Sequence, residues 1–220
     1  MEHEVIIAGF GGQGILLSGV VLAYAAMEEG KHVSWLPSYG PEMRGGTANC
    51  MVVISDEPVA SPYVSRPDTV IAMNQPSLEK FGAWLREGGL IIYNSSAASK
   101  PLMKKATRYI GVPCVELAVK AGSAVAANMV ALGAYISLVR PVSLDAAVRA
   151  IAKALPERRR HLAAVDAEAM KAGSEFAASL SGAVAGTPSA SGVSVGGRCR
   201  DGTSGGSRHR RGNRTPAKPA

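Results

Sequence analysis

Glu4-Val5-Ile6-Ile7-Ala8-Gly9-Phe10-Gly11-Gly12-Gln13-Gly14-Ile15-Leu16-Leu17 is the stretch on which the fold turns. Val5 to Ala8 are apolar with a β-branched centre, the pattern of a short buried strand, Glu4 to Ala8. Four glycines then interrupt the run, and an apolar helix follows from Ile15 to about Glu29. Gly9, Gly11 and Gly14 fall into the spacing GxGxxG. This order of strand, glycine turn and helix start lets the backbone approach an anion and aims unpaired N–H groups at it. The helix dipole adds only about 0.3–1 kcal/mol at an exposed site, so the turn orients an anion without holding it alone. A tight turn that packs the helix onto the sheet is the alternative reading.

Outward from this unit, strands alternate with helices. Gly30 ends the first helix, Lys31 to Leu36 reads as a strand stopped by Pro37, and Ala48 to Ser55 as the next strand. The connection is too short for a parallel crossover, so these two strands should be antiparallel neighbours in a mixed sheet. Thr69–Met73, Leu90–Tyr93 and Ile110–Leu117 read as further strands. Helices are expected at Ser77–Arg86, Leu102–Arg108, Ala121–Val139, Ser143–Leu155 and Arg160–Leu180. The predicted class is α/β: three layers, a mostly parallel mixed sheet with helices on both faces, in Rossmann-like fashion.

Composition narrows the function. The 220 residues can bury a core of ordinary size without a disulfide or metal staple. Cys50, Cys114 and Cys199 form no CxxC pair, and the four histidines share no ligand spacing, which excludes a zinc ribbon, a thioredoxin-type pair and a self-contained iron–sulfur cluster. The N-terminus lacks the features of a secretory signal, so a cytoplasmic protein is expected. Ala121 to Val139 is uncharged, but Gly122, Ser123, Asn128, Gly133 and Ser137 dilute it, and a helix buried in a soluble domain is expected rather than a membrane span. Seven of the 24 Lys/Arg and one of the 17 Asp/Glu lie beyond Leu180, leaving 17 against 16 in the first 180 residues. Residues 1–180 are therefore read as the domain and 181–220 as a disordered, basic, Gly/Ser/Arg-rich tail. Without an aromatic platform that tail makes a poor nucleic-acid site. The strand ending at Leu36 carries no acidic residue for a ribose, which weighs against a stand-alone dinucleotide-binding oxidoreductase, the main alternative.

A second segment, Ser38-Tyr39-Gly40-Pro41-Glu42-Met43-Arg44-Gly45-Gly46, packs a phenol, a carboxylate and a guanidinium beside glycines. Arg44 presents a planar fork suited to a carboxylate or phosphate, unless Glu42 takes it as an internal partner. Both segments follow strand ends at one sheet edge and are expected to converge on one cleft. Asn128, on an apolar helix, is read as a satisfied core amide.

The combination of Gly9–Gly14, Pro37–Gly46 and Asn128-Met129-Val130-Ala131-Leu132-Gly133-Ala134 resembles the gamma subunit of 2-oxoacid:ferredoxin oxidoreductases, over about Met1 to Leu180. Among subfamilies the loop is most similar to the 2-oxoglutarate enzyme. The resemblance implies oxidative decarboxylation of a 2-oxoacid to acyl-CoA and CO₂ with reduction of ferredoxin. It implies thiamine diphosphate with Mg²⁺, iron–sulfur clusters and coenzyme A in the complex, on thiamine-binding and ferredoxin-like partner subunits. No Gly-Asp-Gly followed by Asn and no cysteine set lies in this chain, so it is expected to bind none of those centres alone and to be inactive without partners. The candidate binding residues are Gly11, Gly12, Gln13, Gly14, Ser38, Tyr39, Glu42, Arg44, Gly45 and Gly46; no catalytic residue and no metal ligand is assigned.

Overall fold

The computed structural model describes residues 1–40, 46–99 and 107–184, with side chains to residue 180. Strand β1 (Glu2–Phe10) lies inside a six-stranded sheet of order β2-β3-β1-β4-β5-β6. On one side β3 (Thr47–Ser55) runs antiparallel to β1 and to the edge strand β2 (His32–Tyr39), with Trp35 opposite Val52. On the other side β4 (Thr69–Ala72), β5 (Leu90–Asn94) and β6 (Arg108–Val112) follow in parallel. β3 is the single reversed strand among those described, so the sheet is mixed and mostly parallel, as its sequence pattern predicts.

Because side chains alternate along a strand, β1 feeds two cores. Val5 and Ile7 face the layer built by α1 (Ile15–Glu28), α4 (Ala127–Val139), α5 (Leu144–Ala154) and α6 (Ala163–Val184). Ile6 and Ala8 face α2 (Gln75–Gly82), which contributes Leu78 and Phe81. α5 opens as expected, with the Ser143 hydroxyl accepting from the Ala146 N–H at 3.2 Å. α2 is capped by Asn74, whose Oδ1 accepts from the Ser77 N–H at 2.9 Å, and it stops at Gly82 rather than Arg86.

Four expectations are corrected. The run Ile110–Leu117 is not one strand: β6 ends at Val112, Pro113 withdraws a donor from the ladder, and α3 (Cys114–Lys120) begins immediately after. The helix expected from Ala121 begins only at Ala127, because Gly122 turns at φ 115° and Ser123 caps a short 3-10 turn, Ala124–Ala126. The final helix likewise starts at Ala163, after a 3-10 segment Glu157–Leu162, and continues to Val184. Of the helix expected at Leu102–Arg108, residues 102–106 lie outside the described residues and Arg108 belongs to β6. The tail from 185 onward also lies outside them.

α4 is sandwiched between the sheet and α6, which explains its uncharged sequence. Gly133 on α4 abuts the Met170 carbonyl, and Gly173 on α6 abuts the Val130 carbonyl; a Cβ at either glycine would collide with the opposing backbone. The helices touch main chain to main chain. No described helix is long and apolar enough to cross a membrane.

A cleft at the carboxyl end of β1

From β1 the chain passes through α1 to one half of the sheet and later returns to build the other, so the carboxyl end of β1 is the topological switch point. The glycine turn stands there. Gly12 and Gly14 have φ 93° and 72°, the left-handed region that the reversal into α1 requires. The Gln13 side chain folds back: its Oε1 accepts from the Phe10 N–H at 2.7 Å and from Asn74 Nδ2 at 3.4 Å. The second loop is stitched to the turn, the Gly11 N–H donating to the Gly46 carbonyl at 2.8 Å.

Together they border a cleft of about 710 Å³. The structure brings Gly11, Gly12, Gly14, Tyr39 and Gly46 to it. It does not bring Gln13, which braces the turn, or Ser38, which the strand alternation turns to the other face of the sheet beside Asn49 and Phe81. Glu42, Arg44 and Gly45 lie outside the described residues.

The far wall comes from remote elements: Val125, Asn128, Leu155, Arg159, Leu162 and Asp166. Two helix starts face the space. α1 has no side-chain cap and no acidic residue in its first turn, so the N–H groups and positive dipole end at its start are uncompensated, whereas α4 continues from the Ser123-capped 3-10 turn and its first N–H, at Ala127, donates to the Ala124 carbonyl. Arg159 is exposed and makes no ion pair with a described residue.

Asn128 is both a core amide and a cleft residue. Its Nδ2 donates to the Gly14 carbonyl at 3.1 Å and to Ser18 Oγ at 3.0 Å, clamping the turn to α4. The carbonyl acceptor assigns the nitrogen to that side. Asp166 was not singled out by the sequence reading. It is 8% exposed, no described residue offers its carboxylate a hydrogen bond or cation, and burial raises its pKa. The signal was present: Asp166, Ala169, Met170, Gly173 and Ala177 form the buried stripe of α6, and a lone acid in such a stripe is out of pattern.

Chemically, the cleft offers backbone donors at the α1 start, the Arg159 guanidinium and apolar walls at Leu155, Leu162 and Val125, which suits a ligand with an anionic end. Cys50 and Cys114 are buried with thiol pKa values pushed up to about 12 by desolvation. Among the described residues no three His, Cys, Asp or Glu side chains gather as a metal site.

The family model described as pyruvate ferredoxin/flavodoxin oxidoreductase matches residues 4–176. The chain belongs to this family. Over 161 residues it is 36% identical to the 2-oxoglutarate synthase subunit KorC of Methanocaldococcus jannaschii, covering 71% of this chain and 86% of that one. Over 137 residues it is 53% identical to the ketoisovalerate oxidoreductase subunit VorA of Methanothermobacter thermautotrophicus, covering 62% of this chain. It spans only 28% of that relative's length. The crystal structure of a keto/oxoacid ferredoxin oxidoreductase gamma subunit from Geobacter sulfurreducens superposes with a TM-score of 0.68 at 33% identity, covering 80% of this chain and 99% of that chain. The gamma-subunit resemblance and the α/β architecture are thereby met in this oxidoreductase family member.

Proposed function

We propose that this chain is the gamma subunit of a CoA-dependent 2-oxoacid:ferredoxin oxidoreductase and contributes one wall of the pocket in which coenzyme A is held. The observation that supports it is the convergence of the glycine turn, of Tyr39, Gly40, Gly46 and Thr47, and of the uncapped start of α1 on one cleft of suitable size. The backbone N–H groups at Ile15–Leu17 and the guanidinium of Arg159 attract the anionic end of the cofactor, and Arg44 adds a planar fork to the same task. The apolar walls at Leu155, Leu162 and Val125 exclude water from its body. Thiamine diphosphate with Mg²⁺ and iron–sulfur clusters, on thiamine-binding and ferredoxin-like partners, supply the decarboxylation and the electron path to ferredoxin. The assembly works in the cytoplasm.

For the 2-oxoacid, the expected 2-oxoglutarate now stands beside a branched-chain alternative, because identity is higher to a ketoisovalerate subunit than to a 2-oxoglutarate one. Reconstitution with the partner subunits tests the proposal. The complete complex reduces ferredoxin with CoA and one of these 2-oxoacids, and omission of this chain abolishes the CoA-dependent rate. A complex equally active without it refutes the proposal, and the ratio of rates on 2-oxoglutarate and 3-methyl-2-oxobutanoate decides the substrate. Arg44→Ala raises the apparent KM for CoA and leaves assembly intact; loss of assembly makes Arg44 a structural partner of Glu42.

A further inference from the structure

We infer that Arg159 binds the 3′-phosphate of coenzyme A and so sets a preference for CoA over dephospho-CoA; this rests on, and deepens, the reading that the cleft takes coenzyme A. Arg159 is the one cation among the described residues that line the cleft. It stands on the 3-10 segment Glu157–Leu162, inside the run Arg158-Arg159-Arg160-His161, every member of which is exposed. In 3-10 geometry positions i and i+3 share a side. Arg159 and Leu162 accordingly both line the cleft, whereas Arg158 and Arg160 do not. None of these arginines makes an ion pair with a described residue. Asp166 borders the same cleft without pairing with Arg159, so the guanidinium stays open to a ligand.

Coenzyme A carries phosphate in two chemically different places. Its diphosphate lies within the length of the molecule, between the ribose and the pantetheine arm. Its 3′-phosphate is a terminal monoester, close to dianionic at neutral pH, with its acceptor oxygens free. The start of α1 suits the first, because its N–H groups are fixed in the main chain and a glycine turn without Cβ atoms lets an anion come close to them. A long, exposed guanidinium suits the second: it follows a terminal group at the rim and offers parallel N–H bonds to its oxygens. The α1 start and Arg159 belong to opposite walls of the cleft, so a ligand with two phosphate groups engages both at once. Leu155 and Leu162, beside Arg159, are left to cover the uncharged arm.

The test compares CoA with dephospho-CoA, which lacks only the 3′-phosphate, in the reconstituted complex. Wild type has the lower apparent KM for CoA. Arg159→Gln raises the KM for CoA by about tenfold, the loss of one charge-assisted contact, while that for dephospho-CoA moves by less than about twofold and kcat is unchanged. Arg159→Lys, which keeps the charge without the fork, falls between. Arg158→Gln and Arg160→Gln remove the same charge from positions that do not line the cleft and leave the preference intact. As competitive inhibitors against CoA, adenosine 3′,5′-bisphosphate loses potency in Arg159→Gln and ADP does not. Unchanged KM for both substrates, or equal rises for both, in a complex that still requires this chain overturns the assignment. An equal effect of all these substitutions to Gln also overturns it, because the run then acts as a diffuse field rather than through one contact. If the complex shows the same KM for CoA without this chain, the reading of the cleft itself falls and the assignment with it.

Discussion

Gly14 carries two constraints at one position: φ 72°, and an Asn128 amide so close that a Cβ would lie 2.5 Å from its Nδ2. Gly14→Ala therefore strains the backbone and breaks the clamp between the turn and α4. Equilibrium denaturation should record a loss of about 1–3 kcal/mol, with CoA affinity of the complex falling as well. Asp166 behaves in the opposite way. Burial raises its folded-state pKa above the unfolded value of about 3.9. Below the unfolded value both states are protonated and there is no penalty; as pH rises through the folded-state value the penalty develops, and above it is complete. Asp166→Asn should thus melt together with wild type at pH 3 and above it at pH 7. A constant difference across that range contradicts the assignment. Residue-scale roles were only partly legible beforehand. The glycines declare themselves by type, but whether Gln13 points into the cleft or back onto Phe10 depends on Asn74, 61 residues away.

At the scale of elements, the contact of α4 with α6 sets the far wall of the cleft, because α6 carries Asp166. Gly133→Ala drives a methyl group into the Met170 carbonyl and must separate the helices. Overpacking of this kind costs about 1–3 kcal/mol or more, and for a chain of this length each kcal/mol lowers the melting temperature by about 2–4 °C. Calorimetry should show that drop, and a melting temperature equal to wild type shows the helices can part without cost. Element type was legible where periodicity and punctuation agree, as at β1, α1 and the Ser143-capped α5. It failed at Ile110–Leu117, where a β-rich composition hides the change at Pro113, and at Ala121–Ala126, where uniform apolarity hides a glycine turn and a serine cap.

Across the whole molecule, the reversed strand β3 decides where function can sit. Inserted between β1 and β2, it brings Gly46 and Thr47 beside the glycine turn, and the Gly11 N–H closes the junction on Gly46. This convergence was readable from strand order alone, since strands that leave one sheet end deliver their loops to one place. The opposite wall was not, because Asn128, Arg159 and Asp166 reach the cleft through helix packing and lie more than 100 residues beyond the turn. Hydrogen–deuterium exchange of the assembled complex with and without coenzyme A tests the central claim most directly. Slowed exchange at Gly11–Leu17 and at Gly46–Ala48 on adding CoA is the predicted result. Unchanged exchange in both segments, with protection confined to the partner subunits, would contradict it.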